Sequence, residues 1–262
     1  MSNIKFYEQN IVSSDTAFSL TTALTASAKY LYDENDTTKL TSVASSDTVS
    51  EIWDMDFGAS YSLTALHLAN HNLKDFSIQY WSSSAFVDFS TAINTTTNSG
   101  TYGYFEEFTN VTTQKVRITG NKTIVADEQK SVGGLRVMNL IGEMDHNPKK
   151  FKLKYQENSK KFYTDAKESV FVLFGTSRKI NTNFENLDAD NINILQNVKF
   201  KGSPIYVYAS GGDDTHERRG WRIQDIYLMN YTNAFEPKLS DDALHNGEDI
   251  KCIFEGVKPF TS

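Results

Sequence analysis

One cysteine and four prolines stand in 262 residues, and no uninterrupted apolar run exceeds a few positions. A single cysteine, Cys252, excludes an internal disulfide and any multi-cysteine zinc site. It sits in the apolar stretch Ile250 to Phe254, so it is expected to point into a core. Folding in a reducing cytoplasm is the expected setting. The run Val170 to Phe174 falls far short of the roughly 20 apolar residues of a spanning helix, so no membrane insertion by a helix is expected. The first residues, Met1 to Lys5, lack the apolar segment of a secretion signal. An excess of base is also missing. The net charge is −7, which argues against nucleic acid as the main partner.

What remains is a chain with 39% hydrophobic residues, enough to supply a core. Its halves differ. Residues 1–147 carry 9 basic and 17 acidic side chains, against 17 and 16 in residues 148–262. All four prolines, Pro148, Pro204, Pro237 and Pro259, lie in the second half. This shift predicts one domain over 13–145 and another over 146–262, with a linker near Pro148; residues 1–12, with their short alternating stretch Ile4 to Tyr7, read as an N-terminal arm or a first strand.

The first half reads as strands. Trp53 to Phe57 alternates large apolar with acidic residues, the period of a half-buried strand, and Gly58 is expected to end it. Leu63, Leu66 and Leu68 mark the next run. Phe76 to Tyr80, Val116 to Thr119 and Leu135 to Met138 follow, separated by polar or glycine-bearing connections. Residues 13–50 read as loop with short strands. This pattern predicts an antiparallel β-sandwich. The second half reads as α+β. Asp188 can cap a helix running to Val198, with Ile192, Leu195 and Val198 at three-residue spacing. Phe151 to Tyr155, Val170 to Phe174, Ile205 to Tyr208, Trp221 to Met229 and Ile250 to Phe254 read as strands.

The segment Glu51 to Gly58 resembles the W-x-x-x-D-L-G element of discoidin, or F5/8 type C, domains. Tyr61 to Leu68, Phe76 to Tyr80, Trp81 to Asp88, Phe108 to Ile118 and Leu135 to Gly142 are similar to that family's later strands, in the same order. The resemblance covers about residues 13–145 and implies a galactose-binding-like, discoidin-like (jelly-roll) sandwich. It also implies a structural calcium site with one side on Asp33, Asn35 and Asp36. Asn139 stands where the family usually places Glu, so that set lacks a carboxylate. In the second half, Asn183 to Leu195, Gly202 to Tyr208 and Asp249 to Glu255 resemble a recurring pattern of tailed-bacteriophage tail and baseplate proteins.

No catalytic constellation stands out. G-x-S-x-G, the P-loop, H-E-x-x-H and C-x-x-C are all absent, and His67 and His71 do not fall on a helix. No enzyme is expected. For sugar binding, an aromatic ring stacks on a pyranose while amides and carboxylates fix its hydroxyls. The candidates are His71, Asn72, Trp81, Tyr102 and Tyr104; the alternative for Trp81 and Tyr104 is that they simply cover the sandwich. Interface candidates are Phe6 and Tyr7 in the arm and Arg218, Arg219 and Trp221 in the densest charge cluster, since Arg and Trp anchor interfaces.

The resemblance implies a structural virion protein of a tail or baseplate, made in the host cytoplasm. It would work by assembly with other virion proteins and with copies of itself as a homo-oligomer. The alternative is a carbohydrate-binding module that attaches to a surface glycan. No cofactor is expected beyond the implied calcium.

Overall fold

The structure is a computed structural model that describes residues 4–8, 11–13, 16–20, 28–32, 38–43, 45–99, 103–145, 150–163, 169–202, 204–208, 226–236, 238–239 and 248–256. It is mainly β. Two compact units divide the chain, one built on residues 10–140, the other on residues 1–9, 141–213 and 225–262.

The strands are numbered along the chain, beginning with β1 (Lys5–Tyr7). The first unit contains β2 (Ala17–Leu20), β3 (Leu40–Thr41), β4 (Glu51–His71), β5 (Leu73–Trp81), β6 (Phe86–Thr95), β7 (Gly103–Thr123) and β8 (Ser131–Met138). All its pairings are antiparallel. The two 21-residue strands, β4 and β7, run together along most of their length. Near its start β4 takes β2 on its other side, and from Ala65 onward it takes β8 there. The later part of β7 takes β5, which carries β6. One apolar cluster joins Trp53, Met55, Phe76, Ile78, Val116 and Ile118 to Leu66, Leu68, Leu135 and Val137. This is the antiparallel sandwich that the alternation predicts.

Local chemistry explains the course of β4. Trp53, Met55 and Phe57 are buried, while Ile52, Asp54 and Asp56 between them are only half-buried. Gly58 does not end the strand. It takes a left-handed φ of +76°, and its N–H donates to Asp56 Oδ1 at 3.0 Å. Pairing with β7 shifts register there, between Asp56 and Tyr61. Glycine tolerates that conformation at no steric cost, so the chain bulges and continues. Gly120 on β7 is required by close approach: a Cβ there would lie 2.9 Å from Trp53 Cζ3 and 3.0 Å from Leu73 Cδ2.

The second unit holds β1 with β9 (Leu140–Glu143), β10 (Lys150–Tyr163), β11 (Ser169–Leu187), α1 (Ala189–Phe200), β12 (Ile205–Tyr208), β13 (Ile226–Tyr231), β14 (Lys238–Leu239) and β15 (Glu248–Gly256). Its sheet runs β10-β11-β15-β13-β12-β1-β9, with β14 beside β15. Asp188 caps α1 by accepting from Asn191 N–H at 2.9 Å. Leu195 and Val198 on the helix share one core with Ile180, Phe184, Val207 and Phe254. Cys252 is buried there, donating to the Tyr231 hydroxyl at 3.3 Å.

The N-terminal segment forms a first strand and not an arm. β1 lies inside the second unit's sheet, with Phe6 opposite Val207 and Tyr7 opposite Tyr206. Phe6 and Tyr7, expected at an interface, are each 0% exposed. Ile4 and Phe6 join the apolar core of that unit, so their hydrophobicity is satisfied within the chain. The interface candidates Arg218, Arg219 and Trp221 lie outside the described residues, as do Tyr102 and the calcium candidates Asp33, Asn35 and Asp36.

Candidate functional site

Among the described residues, the sugar-binding candidates do not all converge: His71 and Tyr104 meet around Phe76, and Trp81 lies elsewhere. His71 closes β4 and is buried. Its Nδ1 accepts from Leu73 N–H at 3.2 Å, and its ring meets Phe76 edge-on at 5.4 Å. Burial, with a smaller contribution from the Lys39 ammonium, lowers its pKa to about 4, against the opposing hydrogen bond from Leu73. A neutral ring in the core is a packing element. Asn72 clamps two turns together. Its amide donates to Gln129 O at 2.8 Å, while its Oδ1 accepts from Ser131 N–H at 2.8 Å. Tyr104 packs edge-on against the other side of this cluster, 5.2 Å from Phe76, and its hydroxyl donates to Glu106 Oε2 at 3.0 Å. Burial and then Glu106 push that phenol up to about 12.

Trp81 stands apart. It ends β5, whereas His71 and Asn72 precede its start. At about 3.3 Å per residue the strand separates them by roughly 26 Å. Covering the sandwich fits Tyr104 better than ligand contact does, because its ring and hydroxyl are both engaged.

Around Trp81 the sheet builds a different surface. Register places Asp54 of β4 opposite Arg117 of β7, Arg117 opposite Gln79 of β5, and Gln79 opposite Asp88 of β6. The next row along holds Asp56 opposite Lys115, and Trp81 opposite Phe86. Side chains alternate across a strand. All of these therefore share the face opposite Trp53, Met55, Val116 and Ile118, which turn into the core.

The contacts on that face are well defined. Arg117 forks onto Asp54 through two hydrogen bonds of 2.6 Å. Its guanidinium carbon also lies 3.9 Å from the centre of the Phe86 ring. The Asp54 bond holds the guanidinium above its usual range. Trp81 and Phe86 meet edge-on, with ring centres 5.2 Å apart. Gln79 donates to Asp88 at 3.0 Å. Lys115 pairs with Asp56 at 2.9 Å, and Gln114 donates to the same carboxylate at 2.8 Å. The Lys115 hydrogen bond is the main cause holding Asp56 below the ordinary carboxylate range.

This face offers half-buried aromatic surface beside fixed donors and acceptors. Such an arrangement can grip a polyhydroxylated ring, with the aromatic pair under its C–H face and the carboxylates and amide at its hydroxyls. Sequence reasoning found Trp81 and missed Phe86, Arg117, Asp54, Gln79 and Asp88. Each is the outward member of an alternating strand, but their juxtaposition depends on register.

Among the described residues, two buried reactive groups elsewhere are engaged. His67 Nδ1 lies 3.0 Å from Arg136 Nη1, and burial, then Arg136, then His71 push its pKa well down. Burial lifts the Cys252 thiol to about 12. Among the described residues no group of three or more His, Cys, Asp or Glu could hold a metal ion, and no helix is long and apolar enough to cross a membrane.

No family model matches the chain, and no curated protein does. Among solved structures, a chitosan-binding module of a chitosanase/glucanase from Paenibacillus sp. IK-5 is 19% identical, with a TM-score of 0.42, covering 50% of this chain and 100% of the module. The family 32 carbohydrate-binding module of Clostridium perfringens NanJ, solved with galactose, is 15% identical, with a TM-score of 0.42, covering 50% of this chain and 98% of the module. A further Clostridium perfringens module, CpGH89CBM32-5, solved with GalNAc-β-1,3-galactose, is 12% identical, with a TM-score of 0.40, covering 48% of this chain and 96% of the module.

Proposed function

We propose that the chain is a recognition protein without catalytic activity, and that its first unit binds a carbohydrate on the outward face around Trp81. The observation that carries this reading is the Trp81–Phe86 pair, set on a sheet face beside the Arg117–Asp54 fork and the Gln79–Asp88 bond. Aromatic surface of this kind usually lies inside a core. Here it is laid out with polar groups whose spacing the sheet fixes.

The test is a glycan array probed with the intact chain, followed by titration of the best glycan against the Trp81→Ala variant. Removing the indole should weaken binding about 10-fold or more, as expected for losing about 1.5 kcal/mol of ring contact, with the fold intact by circular dichroism. Equal affinity in the variant, or no binding to any glycan, would remove the reading.

A second reading is structural. The segments that resemble tail and baseplate proteins, Asn183 to Leu195, Gly202 to Tyr208 and Asp249 to Glu255, fall on β11, α1, β12 and β15. Those elements contribute to one shared core. A virion protein made in the host cytoplasm would unite both readings, because a particle can carry a glycan-binding surface. Mass spectrometry of purified particles checks it: the chain in stoichiometric amounts supports the reading, and its absence removes it.

A further inference from the structure

The outward face of the first unit continues past the groups around Trp81. Along β5, away from the indole, the outward positions are Gln79 and then Ser77, because Ile78 between them is buried. Register sets Ser77 opposite Asn94 of β6 on one side and opposite Thr119 of β7 on the other. Ile93 and Ile118, the chain neighbours of Asn94 and Thr119, are buried and turn into the core. Asn94, Ser77 and Thr119 therefore form one row on the outward face. Ser77 lies four positions from Trp81, about 13 Å at about 3.3 Å per residue.

This row differs from the rows beside it. Towards Trp81, Gln79 is bonded to Asp88 and Arg117 to Asp54. On the far side, Asn121 donates to Asp75 at 2.8 Å and accepts from the Ser50 hydroxyl at 2.7 Å. In those rows the sheet satisfies its own polar groups. Among the described residues, none of the three side chains between them has a hydrogen-bond partner. Ser77 and Thr119 are half-buried and Asn94 is exposed, so two hydroxyls and one amide stay open to a ligand lying on the sheet. The row itself carries no charge. Around Trp81 stand three carboxylates, Asp54, Asp56 and Asp88, against two cations, Lys115 and Arg117.

We propose that Asn94, Ser77 and Thr119 form a second subsite, and that this face takes a linear, uncharged, β-1,4-linked glycan lying along β5 over at least three sugar rings. The inference rests on glycan binding at Trp81 and adds the class of glycan. One ring lies on the Trp81–Phe86 pair, the next meets the Gln79–Asp88 row, and a third gives its hydroxyls to the open row. A single sugar on the aromatic pair is too short to reach Ser77. A β-1,4 linkage keeps successive rings extended and flat, the shape that an open sheet face accepts along its strands. The surplus of carboxylates near Trp81 disfavours a chain that carries an acid on every ring.

The experiment is calorimetric titration of the intact chain with three β-1,4-linked series of one to five rings: glucose, N-acetylglucosamine and the charged mannuronate. Expected is affinity that rises about 10-fold or more from one ring to three in at least one uncharged series, with mannuronate about 10-fold weaker or more at equal length. The double variant Asn94→Ala with Thr119→Val, its fold checked by circular dichroism, should weaken binding of the three-ring member about 10-fold, as loss of two hydrogen bonds implies. Thr119→Ser keeps the hydroxyl and should keep the gain with length. Affinity that does not change with length, a gain that the double variant retains, or mannuronate bound as tightly as the uncharged series would overturn the proposal. So would silence in all three series. If the array still finds a glycan whose binding Trp81→Ala weakens, the reading at Trp81 stands without this second subsite.

Discussion

Lowering the pH from 7 to 5 should destabilise the first unit through two buried histidines, before most carboxylates titrate. His71 has an ordinary pKa of 6.5 that burial lowers to about 4 in the folded chain. Between these values the unfolded chain binds the proton and the folded chain resists it, so stability falls as pH falls. At pH 5 the unfolded imidazole is almost fully charged and the folded one mostly neutral. With about 1.36 kcal/mol per pH unit of separation, this costs roughly 2 kcal/mol. His67 is pushed well down by burial and then the Arg136 guanidinium, so charging it also opposes the fold as pH falls. Urea unfolding followed by the fluorescence of Trp53, which is 1% exposed, reads the effect. Each 2 kcal/mol moves the midpoint by about 1 M at a typical slope. The variant His71→Gln loses some stability at both pH values, but its change between them should shrink by roughly 2 kcal/mol. A wild-type midpoint that stays constant from pH 7 to 5 would refute the argument, as would a pH dependence that His71→Gln leaves intact.

Two further outcomes concern packing and capping. Gly120→Ala drives a methyl into the Trp53 ring at 2.9 Å and should cost about 1–3 kcal/mol of first-unit stability by overpacking; a neutral result in thermal unfolding would show that Trp53 can move aside. Asp188→Ala removes the acceptor of Asn191 N–H and should cost about 1 kcal/mol in the second unit, most of it restored by Asp188→Asn. Circular dichroism during denaturation reads both variants, and equal loss for Ala and Asn would mean that the side chain acts through something other than the cap.

The strands were legible wherever period-2 alternation met a one-sided core. Trp53 to Phe57 buries the members its pattern predicts, and Phe76 to Tyr80 buries Phe76 and Ile78 with Tyr80 half-buried against the same core. Helix α1 was legible from its cap and its three-residue spacing. What local sequence does not carry is which strand lies beside which. Asp54 and Arg117 are 63 residues apart, and only β4–β7 register makes them an ion pair. The same gap hid Phe86 and Asp88 as neighbours of Trp81 and Gln79. His67 failed for a related reason. His67 alternates with Leu66 and Leu68, yet it is only 6% exposed because that stretch of β4 is buried on both faces. Phe6 and Tyr7 read as part of an arm or a first strand because the strands that flank β1 are encoded far along the chain, β12 about two hundred positions later.

That last pairing sets an order of events during synthesis. Residues 5–7 are translated ahead of one of their two neighbours, Tyr206 to Tyr208, by roughly 200 codons, on the order of 10–40 s at about 5–20 residues per second. Residues 10–140 can complete their sandwich in that interval, while β1 has only β9 (Leu140–Glu143) available beside it. The sheet that holds β1 between β9 and β12 therefore closes late.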